Sequence, residues 1–183
     1  MQLIAAPYGP DRRPGLDRMP AIGQVLGVDL NPVDPADPDA REWLEALVWP
    51  ENHAQRELLG RALTLVAADP PPIRGGNAVD VLPRVAAELP AGQARLVFHT
   101  ATRLHVAADR RPAFDAAIEA AGATGPLWWL SAEDRPVPDP RPHPIRDGAA
   151  LRLRDPAGTT RTLAVVDGHL RWIETLADGG SIA

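Results

Sequence analysis

The sequence predicts an α/β fold, a mostly parallel sheet with a C-terminal antiparallel meander. Three observations carry this. Short apolar segments alternate with helical patterns from Val25 to Leu130. Leu96-Val97-Phe98 is apolar at successive positions, which suits a strand covered on both faces, as in a parallel sheet. Leu151-Arg152-Leu153-Arg154 alternates with period two, and Asp155-Pro156-Ala157-Gly158 and Asp167-Gly168 supply hairpin turns.

Each element has its own signals. Residues 1–20, rich in Pro, Gly and Arg with one apolar run at Leu3-Ile4-Ala5-Ala6, form an extended N-terminal segment. Residues 25–30 form a short strand, and Asn31-Pro32 turns the chain because the residue before proline resists the α region. Asp37 is an N-cap, with Pro38 at the first helical position and Asp39 in the first turn. This helix carries Trp43, Leu44, Leu47 and Val48 on one face and ends at Pro50. A second helix starts at its cap Asn52, repeats Leu58, Leu59, Ala62, Leu63 and Val66, and runs to Ala68 before Asp69 and Pro70-Pro71-Pro72. Ile73-Arg74 is a short strand before Gly75-Gly76-Asn77. A third helix spans residues 79–89, with Pro83 tolerated in its first turns. Residues 95–100 are the clearest strand. A fourth helix spans residues 111–121 and is closed by Gly122. Another strand begins at residues 126–130. Proline then recurs at every second position from Pro136 to Pro144, which marks a stiff connector. Strands at residues 151–154, 162–166 and 170–173 close the chain.

The expected organisation is an N-terminal segment (1–20), an α/β region (21–135), a proline-rich connector (136–147) and C-terminal strands of the same domain (148–176). A chain of 183 residues, 45% of them hydrophobic, suits one globular domain with a substantial core. The net charge of −5 argues against a nucleic-acid partner, which needs a basic face. Without cysteine there is no disulfide, no thiolate nucleophile and no cysteine zinc site. The first residues lack a signal-peptide pattern, and no apolar run approaches the roughly 20 residues that span a bilayer. A cytoplasmic protein without a membrane partner is the expectation.

Two further absences exclude chemistry. All 19 basic residues are arginine, so there is no P-loop, Schiff-base or protein-kinase lysine. The only serines, Ser131 and Ser181, stand outside any G-x-S-x-G turn. The five histidines lack metal-ligand spacing, so no metal is expected.

Several short motifs stand in a fixed order. They are Gly27-Val28-Asp29-Leu30-Asn31-Pro32-Val33-Asp34, Asp37-Pro38, Val48-Trp49-Pro50, Arg61-Ala62-Leu63, Leu96-Val97-Phe98-His99, Trp129-Leu130 with Glu133, and His169-Leu170-Arg171-Trp172. In these the chain resembles the uncharacterised bacterial family catalogued as domain of unknown function 2332. The resemblance implies a Rossmann-like, methyltransferase-like fold, with S-adenosylmethionine as the expected cofactor. Longer members carry an upstream glycine-rich turn after a strand. Gly9-Pro10 and Gly15-Leu16 do not match it, so the chain is expected to correspond to the C-terminal half of such a fold, as a truncated form.

The resemblance also implies roles. Asp29 would hold the ribose hydroxyls, Asn77 with Ala78 would meet the adenine, and His99 would stand beside the reacting groups as the catalytic candidate. Family members tend to have an acid where Asn77 stands. The absent strand would lie between the second and fourth strands of the fold, and its loss exposes backbone edges. The expected consequence is rearrangement, self-association or a partner supplying the missing half, or a poorly folded remnant. The leading functional expectation is a ligand-binding or assembly module. The alternatives are an S-adenosylmethionine-dependent methyltransferase of small molecules and a non-catalytic structural remnant.

Each residue also has a plainer reading. Asp-x-Asn-Pro is good turn chemistry, so Asp29 suits an Asx-turn. His99 suits a hydrogen-bonded structural histidine at a strand end, as well as a general base. Trp43 and Trp49 suit core and anchor positions. Trp128 and Trp129 point to opposite faces of a strand. Gly75-Gly76 suits a tight turn better than a phosphate loop.

Overall fold

The computed structural model describes residues 6–7, 21–133, 148–167 and 172–175. The proline-rich connector, the turn at Gly168 and most of the N-terminal segment lie outside these residues. The fold is α/β, and the chain divides into two compact units, Ile22–Val85 and Ala86–Ala183 with Met1–Ala21.

The Ile22–Val85 unit is built on two parallel strands. The first strand of the chain, β1 (Ala6–Pro7), belongs to the other unit; β2 (Gly27–Asp29) and β3 (Ile73–Gly75) pair with Gly27 opposite Ile73 and Asp29 opposite Gly75. Between them run α1 (Pro38–Ala46) and α2 (His53–Ala68). Three aspartates shape the entry to α1. Asp29, Asp34 and Asp37 each accept the N–H two residues ahead, from Asn31, Ala36 and Asp39. The last of these is the expected cap. Asn52 precedes α2, but its side chain bonds Gln55 instead of the backbone. Leu63 is the buried centre of the α2 apolar stripe.

The α1 face differs from expectation. Val48 is buried, but Trp43 is 56% exposed and Trp49 is 74% exposed, so neither is core or anchor. Helical spacing assigns Trp43 to the apolar face of α1, but a spacing does not supply anything to cover it. After β3, Gly76 adopts φ +133, where a side chain would also meet Val81. Asn77 follows and its Oδ1 accepts the Val79 N–H, capping α3 (Ala78–Glu88).

The other unit holds a mixed six-stranded sheet. Its strands are β4 (Arg95–Thr100), β5 (Leu127–Glu133), β6 (Gly148–Arg154), β7 (Thr160–Asp167), β8 (Trp172–Thr175) and β1, in the order β1-β8-β7-β6-β5-β4. β4 and β5 are parallel, joined through α4 (Arg111–Ala120). β5, β6, β7 and β8 are antiparallel neighbours, and β1 runs parallel to β8. The meander is therefore as expected. The single, mostly parallel sheet is not: the strands form two small sheets, and the larger is mixed. The reason is that β2 and β3 pair only with each other among the described residues.

Gly158 at φ +86 closes the β6–β7 hairpin, with Asp155 Oδ1 accepting the Ala157 and Thr159 N–H groups. Ala132, Ala164 and Val166 form a buried cluster flanked by Ala149, Leu151 and Ile173. At the start of β4 the buried Arg95 ties the unit together. Its guanidinium donates to Ala121 O at 2.6 Å, Leu89 O at 3.3 Å and Pro90 O at 3.5 Å. One cation thus meets carbonyls at the ends of α3 and α4, where helix dipoles favour positive charge.

Candidate functional site

The most organised polar cluster stands at the carboxyl ends of β4 and β5. Strand alternation turns His99 to the face that carries α4, where its ring meets Phe114 edge-on at 5.3 Å. Trp129 lies on the neighbouring strand, and its indole Nε1–H donates to His99 Nε2 at 2.9 Å. An indole nitrogen only donates, so Nε2 is the acceptor and the ring proton sits on Nδ1. That Nδ1–H donates to Glu133 Oε1 at 2.6 Å. Both side chains are shielded, 7% exposed for His99 and 12% for Glu133.

Glu133 is the hub. Besides His99, its Oε1 accepts the N–H groups of Thr102 at 2.9 Å and Arg103 at 3.1 Å, and Oε2 accepts that of Leu104 at 3.3 Å. These amides open the 3-10 turn Arg103–His105. The chain reaches them through Ala101, whose φ of +50 is unusual for a residue with a Cβ. Burial pushes the Glu133 carboxyl up, but the Arg103 N–H, the His99 side chain and the Thr102 N–H outweigh it and hold it below the usual carboxylate range. Arg103 itself clamps Asp115 of α4 in a two-bond fork at 2.8 and 2.7 Å.

The arrangement engages both His99 nitrogens, Nδ1 as donor and Nε2 as acceptor. A general-base role requires Trp129 to leave Nε2 first. Trp128, by contrast, faces the other side of β5 and is 38% exposed, as alternation predicts.

The remaining sequence candidates lie in the Ile22–Val85 unit. Asp29 ends β2, and Asn77 and Ala78 follow β3. Gly76 N donates to Asp29 O at 2.8 Å, so these residues stand side by side at the carboxyl ends of adjacent parallel strands. Asp29 Oδ1 accepts from Asn31, Asn77 Oδ1 accepts from Val79, and Ala78 is the first residue of α3. The structure groups these three and places His99 in the other unit. Among the described residues no three His, Asp or Glu side chains gather as metal ligands, and no helix is long and apolar enough to cross a membrane.

Residue reading passed over the roles of Trp129, Glu133 and the Arg103–Asp115 pair. The available signal was an acid, Glu133, at the end of the strand that follows the one carrying His99.

No curated protein and no solved structure matches the chain. A protein-family profile does, over residues 1–175, and the chain therefore belongs to the family described as uncharacterized proteins conserved in bacteria, DUF2332.

Proposed function

We propose that the chain is an assembly module of methyltransferase-like build, in which β4 takes up one further strand from another polypeptide. The observation that carries this is the state of β4. Among the described residues it is the end strand of the six-stranded sheet, with Leu96 58% and Phe98 66% exposed. Their register partners are Trp128 and Leu130, so four apolar side chains share one face. On the opposite face His99 meets Phe114 of α4, and Arg95 donates to the Ala121 carbonyl just past its end. A parallel pair is ordinarily covered on both faces. An open edge beside exposed apolar side chains is a template for strand addition. A strand with a following helix would satisfy the edge and cover Leu96, Phe98 and Trp128 together. The methyltransferase-like resemblance supports this, since it implies a strand beside β4.

The test is sedimentation of the purified chain over a range of concentrations, with apolar-dye binding and amide exchange of β4. The expected result is dye binding or association with wild type, lost in a Leu96→Asp/Phe98→Asp variant that keeps its circular dichroism. A wild-type chain that stays monomeric, binds no dye and behaves as the variant does would overturn the proposal.

A second reading is binding of the nucleoside part of S-adenosylmethionine. It is favoured by the grouping of Asp29, Asn77 and Ala78 at the carboxyl ends of adjacent parallel strands, where open α/β sheets bind ligands. Calorimetry with S-adenosylhomocysteine tests it: binding weakened by Asp29→Ala supports it, and no heat at millimolar ligand ends it.

A further inference from the structure

We propose that Trp129, His99 and Glu133 form a proton-operated latch, in which acidification frees the Trp129 indole from His99 while Glu133 keeps its hold on the imidazole. The inference rests on the direction of two hydrogen bonds and is independent of the β4 edge. Nδ1 already carries a proton aimed at Glu133, so a second proton taken from solvent binds Nε2. Nε2 faces the Trp129 Nε1–H at 2.9 Å, and that group only donates. Two N–H groups cannot share the contact, so the indole must move. The bond to Glu133 meanwhile becomes an ion pair and strengthens.

The surrounding charges favour this division. Glu133 of β5 faces the ring directly. From α4 the ring meets Phe114, which is uncharged, while Asp115 is paired with Arg103 of the 3-10 turn. Arg95, the other charged side chain of β4, stands at the strand's far end, bonded to carbonyls. Glu133 also holds the amides of Thr102, Arg103 and Leu104, so the turn stays in place while Trp129 is released. The protonated Nε2 then presents a donor where it had presented an acceptor. The carboxyl end of β4 changes its hydrogen-bonding character without unfolding.

The test is nuclear magnetic resonance of the full chain across the range in which imidazole ordinarily titrates, about pH 5 to 8. The Trp129 indole N–H signal, assigned by its loss in Trp129→Phe, is expected to move upfield as His99 titrates. The other tryptophan indoles are expected to stay. In His99→Gln the carboxamide oxygen accepts from the indole and its NH2 donates to Glu133, so the pH step disappears. Should that variant not fold, Trp129→Phe gives a second reading: with the competing donor gone, His99 takes its second proton at higher pH than in wild type. A Trp129 signal that stays fixed while His99 titrates overturns the latch, as does a His99 that never titrates before global unfolding.

Discussion

The Nδ1–H of His99 donates to Glu133 Oε1 at 2.6 Å, and this bond joins the ends of two parallel strands to the turn that follows the first. His99 is the fifth residue of β4 and Glu133 is the last of β5. The same carboxylate accepts the N–H groups of Thr102, Arg103 and Leu104. A distant acid thereby serves the orphan donors that a local cap would otherwise satisfy. The loop at the carboxyl end of β4 is thus held by four donors meeting one side chain.

Glu133→Gln keeps an oxygen acceptor but loses the charge that all four donors share. Hydrogen bonds to charged groups contribute roughly 1.5–3 kcal/mol, so the variant is expected to lose about 2 kcal/mol. Urea denaturation at neutral pH measures this. A loss below about 0.5 kcal/mol would show that the hub is dispensable.

The same residue sets an acid limit. Its carboxyl is held below the usual range in the folded chain, because donors outweigh the opposing effect of burial. A depressed folded value gives stability that is complete above the unfolded carboxylate's titration near pH 4.3 and lost as pH falls through the folded value. Wild-type stability should therefore decline on acidification below about pH 4, and Glu133→Gln should decline less steeply there. Parallel curves of urea midpoint against pH would contradict the assignment.

Arg95 is expected to be the costliest polar side chain of the unit to remove. It is 6% exposed and donates to Ala121, Leu89 and Pro90 carbonyls. Truncation leaves buried carbonyls unpaired and opens a cavity. Arg95→Ala should cost about 3 kcal/mol or more. Arg95→Lys should recover only part of this, since a single ammonium cannot reproduce the planar fork. An Arg95→Lys variant as stable as wild type would mean that charge alone matters.

The difference between Arg95 and Glu133 shows what was legible in the sequence. The boundaries of β4, the Asp37-Pro38 start of α1 and the Asp155–Gly158 turn are local, and local chemistry announced them. Arg95 and Glu133 act across the fold, on residues that only the sheet brings near, so composition and spacing do not show which groups they hold. Exposure is non-local too. Trp43 on α1 and Phe98 on β4 sit in patterns that say which side they occupy, and nothing in a pattern says what packs there. For the same reason Asp29 and Asn77 were visible as turn residues, while the separation of β2 and β3 from the larger sheet was not.

The Arg103–Asp115 fork is about a third exposed, 36% and 30%, so solvent screens it. A double-mutant cycle with Arg103→Ala and Asp115→Ala is expected to return a coupling of about 1 kcal/mol, falling in high salt. A salt-independent coupling of several kcal/mol would mean that the pair is more enclosed in solution.

Two glycines separate the effects of space and backbone entropy. Gly60 lies within α2 with nothing near the position a Cβ would occupy. Glycine in a helix interior is roughly 1 kcal/mol less favourable than alanine, so Gly60→Ala should stabilise the chain by about that amount. Gly125 precedes β5 and lies against the preceding loop, where a Cβ would press into the Gln93 carbonyl oxygen. That atom is backbone, and it is held between two strand starts, so it cannot swing aside as a side chain would. Gly125→Ala should cost about 2 kcal/mol or more, in the range of overpacked cores. Thermal unfolding of the two variants should move in opposite directions. If both stabilise, the Gln93 loop has room to shift, and the close approach of the loops before β4 and β5 is not a constraint on the fold.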